Sequence, residues 1–316
     1  MRALEYLAEG VTFADSSAVA LLEEPVPALL AGATNRTRND QSADPPLVEI
    51  VIPVFNQLEC TQLCLESLRR HTGLRAGTVV IDNGSTDGTA EYLSTRTDIT
   101  VISNARNCGC AAAWNQGVRA CRADWVVVLN NDVVLTAGWL EGLLTAAKTE
   151  AWDIVTPAIR EGLLNYDLES YAREFVESAA GAMRPDVADG VCFMVRRRVF
   201  ERIGLFDENF RVGVFEDTDF FERARQAGFK LGTTGRSFIH HFGSVTQKCI
   251  RQVNLYGPYE EENRQYFRKK WGLNQIQRWI KRFQRKRRTA RWSALERRQY
   301  GHTLYERWQR GRLTYS

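Results

Sequence analysis

One segment constrains the fold of this chain more than any other: the apolar run Trp125-Val-Val-Val-Leu129 is followed directly by Asn130-Asn131-Asp132. A short run rich in β-branched residues predicts a buried strand of a parallel sheet. In open α/β sheets ligands bind beyond the carboxyl ends of the strands, which is where these polar residues fall. Asp132 is therefore a candidate ligand for a divalent cation beside a phosphate. The alternative is that Asp132 caps the next helix.

Strands and helices are predicted to alternate from Leu47 onward. The predicted strands cover residues 47–54, 78–81, 99–103 and 125–129, and the first helix is expected to begin with a capping box between Asn56 and Glu59. This β-α alternation predicts an α/β fold with a mostly parallel central sheet flanked by helices. The second half is less regular, with a predicted strand over 187–196 and a helix over 218–227.

Two common phosphate-binding motifs are absent from the sequence. It contains neither G-x-x-x-x-G-K-[ST] nor a G-x-G-x-x-G after the first strand, which disfavours an NTPase or a dinucleotide-dependent oxidoreductase. Asp82 instead ends the second predicted strand and is followed by Asn-Gly-Ser-Thr-Asp87. A carboxylate there can accept hydrogen bonds from a base or a ribose, and the alternative is an ordinary polar turn.

Positive charge is concentrated at the C-terminus. Residues 268–316 contain sixteen Lys or Arg and two acids, whereas residues 1–267 carry a net charge of −10. Aromatic residues alternate with the basic residues in this tail, which suits an anionic membrane surface, another subunit or, with less support, nucleic acid. Solvated helices without a partner are the remaining alternative.

The seven cysteines and the terminal composition indicate a cytosolic chain. Their odd number and spacing do not resemble a disulfide framework. We find no charged region followed by an apolar one at the N-terminus and no apolar run of membrane-spanning length. The expected location is the cytoplasm, or the inner face of the cell membrane as a peripheral protein.

Several short motifs, in order, resemble the successive blocks of family 2 inverting glycosyltransferases. They cover roughly residues 47–272, and the resemblance rests on their order because each is weak alone. The blocks are Val51-Ile-Pro-Val-Phe-Asn56, Val80-Ile-Asp-Asn-Gly-Ser-Thr-Asp-Gly88, Asn107-Cys-Gly-x4-Trp-Asn115-x-Gly117, Leu129-Asn-Asn-Asp132, Asp189-Gly190, Gly204-Leu-Phe-Asp207, Phe215-Glu-Asp-Thr-Asp-Phe220 and Phe238-Ile-His-His-Phe-Gly-Ser244. The Asn-Asn-Asp block and the late histidines are most similar to the rhamnosyl- and galactofuranosyltransferase branch.

The resemblance implies a GT-A fold that uses a nucleotide-diphospho-sugar, with UDP- or dTDP-sugars as the expected donors. It implies an N-terminal extension and linker at 1–46, a catalytic domain at 47–272 and a basic helical tail at 273–316. The catalytic domain would divide into a nucleotide-binding half, 47–135, and an acceptor-binding half, 136–272. The acceptor would be a glycan, a lipid-linked glycan or a protein, as in bacterial cell-surface polysaccharide synthesis.

The same resemblance assigns the binding residues. Asp132 would ligate a divalent cation, Mn²⁺ or Mg²⁺. Because Asn130 stands where the family has a second acid, a further ligand is expected, which we place at His241 with His240 as the fallback. Without the family, these paired histidines could be ordinary polar residues. The nucleotide site would include Pro53, Phe55, Asn56, Asp82, Asn107, Asn115 and Asn131, and the sugar or acceptor site Asp189, Gly190 and Trp139.

The acidic cluster at 216–219 is assigned the chemistry. By resemblance Asp217 is the general base that deprotonates the acceptor hydroxyl, with Glu216 as the second candidate. Read from the residues alone, the cluster could equally cap a helix. The implied function is an inverting, metal-dependent glycosyltransferase. The alternatives are a non-catalytic nucleotide-sugar-binding or scaffold protein and a nucleotidyltransferase. The tail would contact a membrane or mediate self-association, with no nucleic acid expected.

Overall fold

The computed structural model describes residues 46–252, 257–309 and 311–315. Within these ranges eleven strands form one sheet. The predicted N-terminal extension lies outside the described residues apart from Pro46. The α/β fold with helices around a central sheet confirms the predicted fold class, including its helical C-terminal region.

The sheet is mostly parallel around its centre. Strand β1 (Val48–Val54) pairs in parallel with β2 (Ala76–Asp82) and β4 (Trp125–Leu129), and β2 pairs with β3 (Thr100–Ser103). The remaining strands are β5 (Val133–Leu135), β6 (Ile154–Glu161), β7 (Met183–Pro185), β8 (Cys192–Arg196), β9 (Leu231–His241), β10 (Tyr305–Gln309) and β11 (Arg312–Tyr315).

Helices cover both faces of this sheet. In chain order they are α1 (Leu58–His71), α2 (Thr89–Ser94), α3 (Cys110–Ala120), α4 (Trp139–Glu150), α5 (Leu168–Ala179), α6 (Arg197–Ile203), α7 (Glu216–Gln226), α8 (Val245–Gln252), α9 (Tyr259–Lys270) and α10 (Gln275–Tyr300). Successive side chains of a strand point to opposite faces. Ile50 and Ile52 therefore join the core beneath α1 and α4, whereas Val51 joins the core beneath α3 and α7.

The start of α1 differs from the prediction. Its N-cap residue is Gln57, in a left-handed conformation and without a side-chain cap, so the expected capping box is not formed. Asn56 Oδ1 instead accepts a hydrogen bond from Thr86 N at 2.7 Å, and Asp87 Oδ2 accepts one from Leu58 N at 3.1 Å. The loop after β2 thus supplies the partners of the helix start.

Several strands of the sheet were not predicted from sequence, among them β6, β10 and β11. Strand β6 contains Pro157, which normally argues against an inner strand, and its pairing with β9 shifts register between Pro157 and Ala158. Strands β10 and β11 follow the long helix α10, and β10 joins the sheet in parallel beside β6. The C-terminal segment therefore returns to the sheet that carries the motifs predicted to bind a nucleotide.

The end of α10 is fixed to the rest of the fold by a buried ion pair. Arg184 donates from Nε and Nη2 to the two carboxylate oxygens of Glu296, each at 2.8 Å, and Leu304 N donates to Glu296 Oε2 at 3.0 Å. Over the described residues, no helix is both long and apolar enough to cross a bilayer.

Candidate active site

A cleft of about 600 Å³ lies at the edge of the sheet where β1, β4, β6 and β9 end. This volume is typical of a small-molecule site. Ten of the residues predicted from sequence line it, namely Pro53, Phe55, Asn107, Asn131, Asp132, Asp189, Gly190, Glu216, Asp217 and His241. Four others, Asn56, Asp82, Asn115 and Trp139, are not among its lining residues.

An amide network organises the side of the cleft next to β1 and β2. Asn83, which also lines the cleft, donates from Nδ2 to Asn107 Oδ1 at 2.9 Å, and its Oδ1 accepts from Cys108 N at 3.0 Å. Asn107 Oδ1 accepts in addition from Gly109 N at 2.9 Å. These bonds fix the start of α3 against the end of β2. Asn83 was missed in the sequence, although it directly follows Asp82.

Asp82 and Asn56 do not line the cleft but bind the loop after β2, next to this side of it. Asp82 is buried and its Oδ1 accepts a hydrogen bond from Ser85 N at 3.0 Å. Asn56 receives Thr86 N on its side chain and donates its own N–H to Ser85 Oγ at 2.8 Å. Both residues therefore hold the loop after β2, and a direct role in nucleotide binding stays a prediction.

Asn115 and Trp139 lie away from the cleft, which corrects their predicted placement. Asn115 is buried and clamps the backbone of Phe206, donating to its carbonyl and accepting from its N–H, each at 2.9 Å. Trp139 is fully buried in the core at the start of α4, because an indole there fills the space between sheet and helix. Asn131 reaches the cleft, while its side-chain amide donates to Thr61 Oγ1 at 3.0 Å.

Asp132 and His241 come together where β4 and β9 end. His241 Nε2 lies 3.3 Å from Asp132 Oδ2, and both side chains are almost fully buried. Asp132 Oδ2 also accepts from Val245 N at 2.9 Å, at the start of α8. Asp132 does not cap the following helix α4, whose N-cap residue is Gly138.

The neighbouring histidine faces the other side of β9. His240 Nδ1 lies 2.9 Å from the Tyr166 hydroxyl, and burial lowers the pKa of His240 to about 3. Alternation along the strand explains the difference, since β5 pairs Val133 with His241 and Val134 with His240. The second histidine of the pair is therefore the one beside Asp132.

The surroundings of His241 favour a positive charge. Its Nδ1 lies 3.5 Å from Glu161 Oε2, so the ring stands between two carboxylates. Burial alone would lower the pKa of His241, but Asp132 and Glu161 outweigh it and raise the pKa to about 10. A carboxylate and an imidazole are donors that suit Mn²⁺. Within the ranges that the structure covers, no group of three or more His, Cys, Asp or Glu side chains is arranged to hold a metal ion. Asp132 and His241 are the two side chains that could hold a divalent cation, and its other ligands would have to come from a bound phosphate.

Asp217 and Glu216 lie at the start of α7, across from Gly190. The N-cap residue of α7 is Phe215, which makes no side-chain cap, whereas Asp217 Oδ1 accepts a hydrogen bond from Thr218 N in the first turn at 2.6 Å. Burial raises the pKa of Asp217 to about 6, helped by the charge of Asp189 and opposed by the hydrogen bond from Thr218 N. Burial followed by the charge of Asp217 raises the pKa of Glu216 as well. A carboxylate with such a pKa can take up a proton near neutral pH.

Three further lining residues were missed in the sequence. Glu161 ends β6, and Tyr305 and Arg307 come from β10. Glu161 carries the same signal as Asp132, an acid that follows an apolar run, but Pro157 hides the strand. Nothing in the basic tail distinguishes Tyr305 and Arg307 from their neighbours.

Part of the chain is similar to known glycosyltransferases. Residues 49–204 match the model of glycosyl transferase family 2. The pre-mycofactocin glycosyltransferase of Mycobacterium tuberculosis is 29% identical over 205 residues, which cover 61% of this chain and 42% of that protein. Glycosyltransferase AglE of Haloferax volcanii is 27% identical over 222 residues, or 65% of this chain and 71% of that protein. The chain therefore spans less than half of the first relative.

A solved structure supports the fold. The crystal structure of GalNAc-T7 with UDP, GalNAc and Mn²⁺ superimposes with a TM-score of 0.50 at 16% identity, over 62% of this chain and 43% of that one. The match confirms the predicted GT-A-like architecture, and the predicted rhamnosyl- and galactofuranosyltransferase branch stays a prediction. Residues 49–204 of this chain are thus similar to the glycosyltransferase family 2 domain.

Proposed function

We propose that the chain is an inverting glycosyltransferase that moves a sugar from a nucleoside-diphosphate sugar to an acceptor hydroxyl. The observation that carries this proposal is the position of Asp217. Its carboxylate lies in the same cleft as Asp132 and His241, against Gly190. A base and a site for the diphosphate in one cleft are what a single in-line displacement requires.

Asp217 would accept the proton of the acceptor hydroxyl as that oxygen attacks the anomeric carbon. The new carbon–oxygen bond forms while the bond to the diphosphate breaks, so the nucleoside diphosphate leaves with the electron pair and the anomeric centre inverts. Asp132 and His241 would hold a divalent cation, which offsets the charge on the leaving diphosphate. The UDP and Mn²⁺ in the GalNAc-T7 structure support testing this donor and this cation first.

The nucleotide would bind at the side of the cleft formed by Pro53, Phe55, Asn83 and Asn107. The apolar ring and the fixed amides offer stacking and directional hydrogen bonds to a base or ribose. Asp189 and Gly190 would then lie toward the sugar or the acceptor. A glycan, a lipid-linked glycan or a protein hydroxyl remains the proposed acceptor class.

A panel of UDP-, dTDP- and GDP-sugars with Mn²⁺ tests this function. Release of nucleoside diphosphate and a product of inverted anomeric configuration by NMR are the expected results. Nucleotide-sugar binding by calorimetry without turnover would favour the non-catalytic alternative. That alternative is considered because Asn130 stands where the family has an acid. Release of inorganic diphosphate from a nucleoside triphosphate would indicate a nucleotidyltransferase.

We further propose that the first half of α10 contacts an anionic membrane surface. Ile276, Trp279, Ile280 and Phe283 recur at helical spacing on one side, and each is at least 40% exposed. The rings of Trp279 and Phe283 stack at 5.6 Å. Exposed basic residues, including Arg282, Arg285 and Lys286, flank this apolar stripe. An apolar stripe flanked by cations is complementary to anionic headgroups over an acyl layer. This supports action at the inner face of a membrane.

A further inference from the structure

Strand β10 brings two residues of the C-terminal segment to the candidate metal site. The strand register pairs Arg307 with Glu161, Glu161 with His241, and His241 with Val133, the residue after Asp132. These positions form one row across four neighbouring strands. The C-terminal strand thus reaches the same edge of the sheet as the family motifs, although it lies beyond the matched residues 49–204.

Glu161 is held in place by β10. The Tyr305 hydroxyl donates a hydrogen bond to Glu161 Oε2, and Arg307 Nε lies 2.9 Å from Glu161 Oε1. Arg307 Nη2 donates to the Tyr305 hydroxyl at 2.9 Å, which ties the two partners to each other. Both carboxylate oxygens of Glu161 are therefore engaged from the side of β10. This leaves Glu161 better placed to orient a neighbour than to bind a metal itself.

That neighbour is His241. Its Nδ1 faces Glu161 at 3.5 Å and its Nε2 faces Asp132 at 3.3 Å, in a ring that is almost fully buried. A metal-binding histidine usually donates its other ring N–H to a carboxylate, which fixes the tautomer and orientation of the ring. In His241, Nδ1 faces the Glu161 carboxylate at 3.5 Å without a hydrogen bond, so the ring is oriented as such a ligand would be. Its Nε2 faces Asp132 and accepts a hydrogen bond from Ser244 N at 3.2 Å, which a bound cation would replace.

We propose that Glu161, fixed by Tyr305 and Arg307, is the positioning carboxylate of His241, so that the C-terminal strand completes the divalent-cation site. The inference rests on the proposed function, because it assumes that His241 binds the cation. Tyr305 and Arg307 act only through Glu161, and Glu161 acts through the histidine.

Mn²⁺ binding in the presence of saturating UDP tests the proposal. We would follow free Mn²⁺ by electron paramagnetic resonance with the full chain and the variants Glu161→Gln, Tyr305→Phe and Arg307→Gln. Loss of a partner that orients a metal ligand typically weakens metal affinity 10- to 100-fold. We expect a loss of roughly this size for Glu161→Gln and a smaller loss, several-fold, for each of the other two. The affinity for UDP in the presence of EDTA should not change in these variants. A general structural defect would lower it as well.

Tyr315→Phe is the matched control. Tyr315 lies in β11 of the same C-terminal hairpin, and its ring contacts Arg297 through a cation–π interaction that phenylalanine retains. Its Mn²⁺ affinity should equal that of the wild type. Thermal melting of every variant shows whether a substitution acts by unfolding the protein. If Glu161→Gln unfolds it, Glu161→Asp replaces that variant, because the shorter side chain keeps the charge but moves it away from His241.

The outcomes separate this inference from the proposed function. Wild-type affinity in Glu161→Gln and Tyr305→Phe would overturn the positioning role while leaving the function intact. Loss of Mn²⁺ binding in Glu161→Gln to the extent seen in Asp132→Ala, with no effect of Tyr305→Phe, would make Glu161 a direct ligand and would also overturn it. Absence of Mn²⁺ binding by the wild type with UDP would overturn this inference, whereas the proposed sugar transfer would still be decided by turnover of the donor panel.

Discussion

Gly190 approaches Asp217 so closely that a Cβ at position 190 would lie 2.1 Å from Asp217 Oδ2. The glycine thus leaves the space that the carboxylate of the candidate base occupies. Two segments that are distant in sequence, the turn before β8 and the start of α7, are fitted to each other at this point.

Gly190→Ala should therefore displace the base without removing it. Because a misplacement of about 1 Å can cost roughly 100-fold in rate, we expect kcat to fall 10- to 100-fold while the affinity for UDP is retained. Steady-state kinetics and calorimetry measure the two quantities. Gly73→Ala is the control, since a Cβ there would meet only the end of the flexible Glu141 side chain at 3.2 Å. Equal kcat values for the two variants would contradict the role of this contact.

Asp217→Asn should abolish proton acceptance while keeping the shape of the side chain. General base catalysis contributes roughly 10²- to 10⁴-fold, so kcat should fall by that factor with little change in donor affinity. Glu216→Gln is the matched comparison, because Glu216 is the adjacent buried acid and the second candidate. If Glu216→Gln causes the larger loss, the roles of the two acids are reversed.

The pH dependence of transfer should follow the deprotonation of Asp217. A base works only without its proton, and burial raises the pKa of Asp217 to about 6. We expect kcat/KM to rise with pH through this value and then level off. Neighbouring Asp189 and Glu216 also have raised pKa values, so profiles should be compared with that of Asp217→Asn. If the residual kcat/KM of Asp217→Asn shows an inflection at the same pH, the titrating group is a neighbour and not Asp217.

The same pKa shift predicts a change in stability. The folded state holds the Asp217 proton up to about pH 6, whereas an unfolded aspartate loses it near 3.9. The stabilisation is therefore complete below the unfolded value and is lost as the pH rises through about 6. Asp217→Asn should melt higher than the wild type at pH 8 and at about the same temperature at pH 4. A lower melting temperature at pH 8 would show that the charged carboxylate stabilises the fold.

The first half of the sheet could be predicted because each of its strands is an apolar run that ends in polar residues. Parallel pairing then places those ends at one edge, which is why Asp132 and Asn107 line the same cleft. The pairing of Asp132 with His241 came from the family resemblance, and the strand register explains it physically, since β5 pairs Val133 with His241.

The residues that could not be predicted depend on long-range packing. Pro157 conceals β6 and with it Glu161, because a proline is tolerated there only through a local shift of register. Trp139 was assigned to the sugar or acceptor site from the sequence but fills the core, since burial of an indole is decided by what packs on it. Arg307 belongs to a basic tail in sequence and becomes a cleft residue only when β10 adds to the sheet.

Asp132→Ala and His241→Ala should weaken metal-dependent turnover together. Both side chains face one point, with Asp132 Oδ2 and His241 Nε2 separated by 3.3 Å. Each variant should require a higher Mn²⁺ concentration for half-maximal rate, and the double variant should add little to the larger single effect because ligands of one ion are not independent. His240→Ala is a control for the neighbouring imidazole. A loss confined to one of the two variants would exclude a shared site.

The apolar stripe of α10 should bind vesicles that contain anionic lipid. Each basic residue near such a surface contributes about 1 kcal/mol, and burial of the aromatic rings adds to this. We expect the wild type to co-sediment with phosphatidylglycerol-containing vesicles but not with pure phosphatidylcholine, and the binding to weaken in high salt. The double variant Trp279→Ser, Phe283→Ser should reduce vesicle binding at least 10-fold. Sugar transfer to a water-soluble acceptor should be unchanged, because no residue of the stripe lines the cleft. The matched control is Leu295→Ser, an exposed apolar residue of the same helix outside the stripe. A stripe variant that binds vesicles normally but changes from oligomer to monomer by light scattering would show that a second copy covers this surface.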